Sequence, residues 1–366
     1  MIRFKDDIVD AAERVERWWN GISIGRPLLQ LKAKRPAPLL QLPLHEAPTT
    51  DDYWTNPEYV LPRIVNDLAS TCYLAEAFPV LQPVAGRMVS ITCKYLGAPN
   101  RYIDRDTTWS VPIIDSWESC PPLVLDRDNA WWKISLQLLE RALALIEGRG
   151  LECFLSLPDL NGPTEVLSGL RNPQKLCLDM LLEPDEVKRA AGKVQAAWFD
   201  AWQGLIPYTN RYGGYFNWMG IWSDSPAIDL QSDFSTLISS GMFAEFILPL
   251  LLEQVDAFDR TIFHLDGPGM VRHLDLLLDI PGLNAVQWVQ GAGGGRVSEW
   301  LDLMHRIQEA GKGLYIYCDA DEVPRLTAEL DPAGLMMVVN ERMELVEAER
   351  LLDRVEQISA YRGRPL

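Results

Sequence analysis

The chain has 366 residues, 48% of them hydrophobic, and carries 51 acidic against 34 basic side chains for a net charge of -17. That length is generous for an ordinary domain and normal for one α/β barrel with extensions. So negative a surface repels nucleic acid and anionic membranes, which excludes non-specific binding to either.

Asp6 to Trp19 places Ile8, Ala11, Ala12, Val15, Trp18 and Trp19 at helical spacing, which predicts an amphipathic helix. Pro27 to Ala33 reads as a strand, and Asn56-Pro57 as a helix start, with asparagine as cap and proline first. Apolar runs then predict strands at 78–82, 152–157, 215–218, 261–265, 285–289, 314–318 and 335–340. Periodic segments at 131–146, 183–205, 243–258, 271–278, 297–310 and 344–358 predict the helices between them. With the strand near residue 29 the count is eight. Strand–helix alternation of this length predicts an α/β fold, a single (β/α)8 TIM barrel, with residues 1–60 as an N-terminal helical extension and 61–366 as the barrel.

The charged start Met1 to Asp7 predicts no signal peptide, and the strongest apolar run, 246–252, is too short to span a bilayer. Six scattered cysteines without C-x-x-C spacing suit reduced thiols, so a cytoplasmic protein is expected.

In a barrel, chemistry gathers where strands end at their carboxyl edge. His264 and Asp266 share one face of such an end, because strand side chains alternate. Asp159 and Asn161, Gln287 and Trp288, Cys318 and Asp319, and Asn340 and Glu341 stand at other ends, with Asp233 just past a further apolar stretch. Trp218, Trp222 and Trp288 are expected as pocket walls or as core. Gly291-Ala-Gly-Gly-Gly295, centred on Gly293, is expected as a flexible turn or as an anion cradle. Arg87, Arg101, Arg105, Arg211 and Arg296 are loop cations able to hold substrate carboxylates.

Four blocks carry a family likeness: Pro158-Asp-Leu-Asn-Gly-Pro-Thr164 with Gly169-Leu-Arg171, Leu230 to Ser235 with the helix around Met242 to Pro249, the His264 segment, and Ile280 to Val289. Read in order they resemble the uroporphyrinogen decarboxylase superfamily, which includes methyltransferases of corrinoid metabolism. The resemblance implies a (β/α)8 barrel and an enzyme acting on a small-molecule substrate. It also implies either methyl transfer linked to a corrinoid or decarboxylation of a tetrapyrrole or other carboxylated substrate. A corrinoid- or tetrapyrrole-binding protein without catalysis is a third reading. The catalytic expectation falls on His264, Asp266, Asp159 and Asp233. Substrate contact falls on Asn161, Trp218, Trp222, Gln287, Trp288, Gly293 and Asn340. Zinc-dependent relatives show His-x-Cys where this chain has His264-Leu-Asp266, so His264 and Asp266 are expected either on a divalent metal such as zinc or as a hydrogen-bonded pair beside the substrate, with Cys318 as third ligand or as a small buried hydrophobe. The arginine-rich segment of the decarboxylases is absent around Arg26 to Arg35. A corrinoid protein and a second copy in a homodimer are the partners considered.

Overall fold

The computed structural model describes residues 1–84, 90–102 and 108–362. Its centre is a seven-stranded sheet in the order Ala227–Gln231, Arg260–Asp266, Ala285–Val289, Gly313–Cys318, Leu335–Met343, Leu28–Lys34, Thr71–Ala75. All neighbours are parallel except the last pair, where Thr71–Ala75 runs against Leu28–Lys34. A separate parallel pair joins Val80–Leu81 to Phe154–Leu155. Strand pairing among the described residues is thus that of a mixed α/β protein, without a continuous ladder through eight strands. The Leu28–Lys34 strand, inside the segment expected as an extension, is an interior strand of the sheet.

One expected strand is corrected. Tyr215–Phe216 pairs antiparallel with Trp222–Ser223 as a short hairpin, turned by the Asn217 to Gly220 segment. The strand that joins the sheet is Ala227–Gln231. Its alternation puts Ile228 and Leu230 on one face and Asp229 and Gln231 on the other.

Cross-strand register explains the two apolar layers. Phe263, Leu265, Val286, Trp288, Leu314, Ile316, Cys318, Met337 and Leu29 point to the side covered by helices. Ile262, Ala285, Tyr315, Met336, Val338 and Leu28 point to the other side, where they meet Phe78, Phe154 and Phe216. Burial on both faces is why these strands read as near-continuous apolar runs.

The first helix, Ile8–Trp19, buries Ala11, Ala12, Val15, Trp18 and Trp19 against this second layer. Trp18 Nε1 donates to the Gly334 carbonyl at 2.7 Å and Trp19 Nε1 to the Trp222 carbonyl at 2.9 Å. Gly313 opens its strand under the Trp18 ring, where a Cβ would stand 3.3 Å from the indole. At about 25 cal/mol per Å² and some 150–250 Å² per ring, burying each tryptophan contributes on the order of 4 kcal/mol. The helix therefore closes the amino-terminal edge of the sheet. No described helix is long and apolar enough to cross a membrane, and all six cysteines are unpaired.

Candidate functional site

At the carboxyl-terminal edge, register aligns Gln231, His264, Gln287 and Tyr315 across four strands on one face. Asp266 stands two residues beyond His264 on the same face. Asp233 follows the Ala227–Gln231 strand in a short 3-10 turn, Asp233–Leu237. Strand order thus brings Asp233, His264 and Asp266 together: one donor atom from each lies within 4.8 Å of the other two, and all three side chains are half-buried.

His264 is oriented from beneath. Its Nδ1 pairs with Oε1 of the fully buried Gln287, and an amide oxygen can only accept, so Nδ1 carries a proton. The Trp218 ring stands edge-on to the imidazole with centroids 5.8 Å apart. Asp233 Oδ1, Asp266 Oδ1 and Gln287 Nε2 are buried without a partner. Buried polar atoms are normally paired, and these three have no partner among the described residues.

Further acids flank the triad. Asp159 accepts the Asn161 amide at 2.9 Å and Gln231 Nε2 at 3.3 Å, and burial pushes its carboxyl up to about 6, with nearby Asp233 adding to the rise. Glu165 accepts the Phe234 amide at 2.7 Å; burial, then repulsion from Asp233 and Asp159, lifts it to about 7. Asp229 is raised well above the carboxylate range, by burial first and by Asp159 second. Asp233 is raised by burial and by Asp266 while His264 pulls it down. Glycines make these approaches possible. A Cβ on Gly162 would fall 1.7 Å from the Gln231 carbonyl, and one on Gly291 would fall 3.4 Å from Asp266 Oδ1.

The structure does not bring every expected residue here. Cys318 lies on the helix-covered face, its thiol against the Val338 carbonyl, and burial raises its pKa; it cannot join His264. Trp288 is also on that face, packed on Trp300 at 4.9 Å, since adjacent strand residues point opposite ways and Gln287 already faces His264. Trp222 sits near the closed edge, its carbonyl taken by Trp19 and its ring against Gly214. Asn161 is placed at the site with φ 58°, its Oδ1 buried and unpartnered. Asn340 is exposed and donates to Asp319 at 2.9 Å. Gly293 is exposed in its turn with open space around it. Beside the glycine run the Glu299 carboxylate crowds Gly295, and the Ser298 amide donates to Glu322. Arg211 pairs with Glu147 and Arg296 with Asp321 and Glu322, while Arg101 is exposed; Arg87 and Arg105 lie outside the described residues.

Sequence reasoning missed Glu165, Asp229 and Gln231. Ala227-Ile-Asp-Leu-Gln231 does carry a period-two signal, but two polar residues on the buried face weaken it, aspartate being unusual in strands. Glu165 sits in the helix Pro163–Arg171, and only the fold brings the Phe234 amide to it.

No family model matches this sequence, and no curated protein matches it. Among solved structures, a methyltransferase from Methanosarcina mazei is similar in fold, with a TM-score of 0.57 over 95% of this chain and 98% of that chain, at 13% identity.

Proposed function

We propose that this chain is a methyltransferase linked to corrinoid or one-carbon metabolism, a divergent relative of the uroporphyrinogen decarboxylase superfamily. In this reading the six parallel strands of the sheet, from Ala227–Gln231 to Leu28–Lys34, and the Val80–Leu81/Phe154–Leu155 pair are the eight strands of one curved (β/α)8 wall, with the antiparallel Thr71–Ala75 outside the count. Apolar contact of Phe78, Phe154 and Phe216 with Leu28 and Ile262 supports that closure. The observation that carries the function is the meeting of Asp233, His264 and Asp266 at the carboxyl edge of parallel strands, on a fold like that of a methyltransferase.

The donor set suits a divalent ion such as zinc: one imidazole nitrogen held in its tautomer by Gln287, and two carboxylates whose orphaned oxygens lie together. A bound ion would lower the pKa of a coordinated acceptor. The protein's own groups do the rest. Gln287 fixes the imidazole, and Trp218 supplies one apolar wall beside it. Asp159 and Glu165, held up by burial, take or return the proton that the acceptor loses as the methyl group arrives. The methyl group leaves its donor without the bonding pair, so the acceptor's lone pair forms the new bond and the donor keeps the pair of the bond that breaks.

Decarboxylation is the second reading, favoured by the same raised carboxyls, which could protonate a carbanion. The charge pattern weighs against it. Of the candidate arginines, Arg211 and Arg296 are ion-paired elsewhere and Arg101 is exposed, so a substrate carboxylate at the triad itself would meet several acids. Elemental analysis of chelator-free protein should find about one divalent ion per chain, as for a three-ligand site, and His264→Ala should lose it. Incubation with a methylated corrinoid and a thiol should give the demethylated spectrum only in the loaded wild type. Carbon dioxide release from a carboxylated substrate without metal would replace methyl transfer with decarboxylation; binding without turnover would leave a carrier.

A further inference from the structure

A cavity of about 460 Å³ opens between the Leu28–Lys34 and Thr71–Ala75 strands and the helix Pro57–Ala69. Three of its residues form a row across three neighbouring strands. Lys32 is in register with Arg342 on one side and with Tyr73 on the other. Lys32 and Arg342 are like charges directly across a strand pair, an arrangement that costs stability unless something negative lies between them. The carboxylate nearby is Asp67, and Arg342 holds it at 2.5 Å. No described carboxylate forms an ion pair with Lys32, in a protein with 51 acidic residues from which to choose. Lys32 is thus a cation without an ion-pair partner among the described residues, beside an Arg342 that Asp67 engages through Nη2.

We propose that Lys32, Arg342 and Tyr73 form a binding site for the oxyanion end of a small ligand, a phosphate or carboxylate group. The Lys32 ammonium and the free guanidinium edge supply charge, the Tyr73 hydroxyl a directional donor, and Gln82 in the same lining a neutral amide. Lys32 keeps solvent access through the cavity, yet packing around its stem desolvates the ammonium and lowers its pKa; Asp67 offsets this and Arg342 adds to it. An arriving anion reverses that cost. Phe78 and Met219, which line the cavity, also belong to the apolar layer on the His264 face of the sheet, so the anion site and the triad share one side of the molecule. The site stands whether or not methyl transfer is the reaction.

Inorganic phosphate is the first probe, titrated into full-length protein by calorimetry at low ionic strength, with acetate in a parallel series. Wild type is expected to bind one of the two at a single site. Lys32→Met should weaken that binding by tenfold or more. Asp67→Asn, which releases Arg342 and removes the competing charge, should tighten it severalfold. Opposite signs from two substitutions in one cavity do not arise from general loss of structure, and circular dichroism checks both folds. Tighter binding of acetate identifies a carboxylate ligand, and tighter binding of phosphate a phosphorylated one. Absence of binding by both anions, or affinities unmoved by both variants, overturns the site.

Discussion

Gln287→Leu separates orientation of the imidazole from the survival of the fold. Gln287 is fully buried and in register with His264, and it contributes one accepting oxygen to Nδ1 and one amide nitrogen that finds no partner. Leucine is nearly isosteric, so packing is conserved. The change strands the imidazole N–H, which costs about 1–3 kcal/mol, but it also removes an unsatisfied amide nitrogen whose burial costs a similar amount. Net stability should therefore shift by less than about 1 kcal/mol, whereas an imidazole freed to rotate presents Nε2 less often to a bound ion. Removing a group that orients a metal-bound histidine lowers affinity by about 10–100-fold, equivalent to about 1.4–2.7 kcal/mol. Competition against a chromophoric chelator with cobalt or zinc measures this directly. Gln287→Glu, which keeps the acceptor, should retain most of the affinity. If Gln287→Leu binds within threefold of wild type while His264→Ala has lost the ion, Gln287 does not orient the ligand and the tautomer assigned to His264 is wrong.

Asp159 makes a pH-dependent contribution. Because its carboxyl is raised to about 6 in the folded chain from an ordinary 3.8, the folded state holds the proton more tightly. The stabilisation is complete below about pH 4 and is lost as pH rises through about 6. Asp159→Asn is then expected to melt above wild type at about pH 8, by at most about 3 kcal/mol, and with it at about pH 4; thermal scans at both values check the sign. Trp218→Phe should abolish the change in tryptophan emission on metal binding, and Trp222→Phe should preserve it. Cys318→Ala should leave metal affinity unchanged, since the thiol is on the other face, while costing roughly 1 kcal/mol in chemical denaturation for the lost packing.

The sequence made the His264 strand legible because a single strand needs only its own alternation, and Ile262, His264 and Asp266 show it. It did not reveal which residues of other strands share that face. Gln287 and Trp288 were both expected at the site although neighbours cannot point the same way, and the choice rests on the pairing of Gln287 with His264. Cys318 fails for the same reason. The aromatic run at Tyr215 imitates a strand of the sheet, yet Asn217 to Gly220 folds it back on Trp222. Asp159, Asp233 and Asn161 were singled out by the rule that barrels keep their chemistry in loops after strands, a rule that needs no distances. Glu165 and Asp229 required distances, because one is on a helix and the other on a strand whose inward polar residues disguise it.

The opposite allegiance of successive side chains in the central strands makes residue number a guide to phenotype. Along Arg260–Asp266 and Leu28–Lys34 the even positions look toward His264 and the odd ones toward the helices; along Ala285–Val289 and Gly313–Cys318 the parity is reversed. A saturation library scored separately for abundance and for ligand binding should therefore come out striped, with abundance losses on one parity and folded but non-binding variants concentrated on the other near the carboxyl ends. Evolution can rewrite one set of stripes while leaving the other alone. A chain could in this way keep its scaffold while its sequence drifts far from that of every protein sharing its shape.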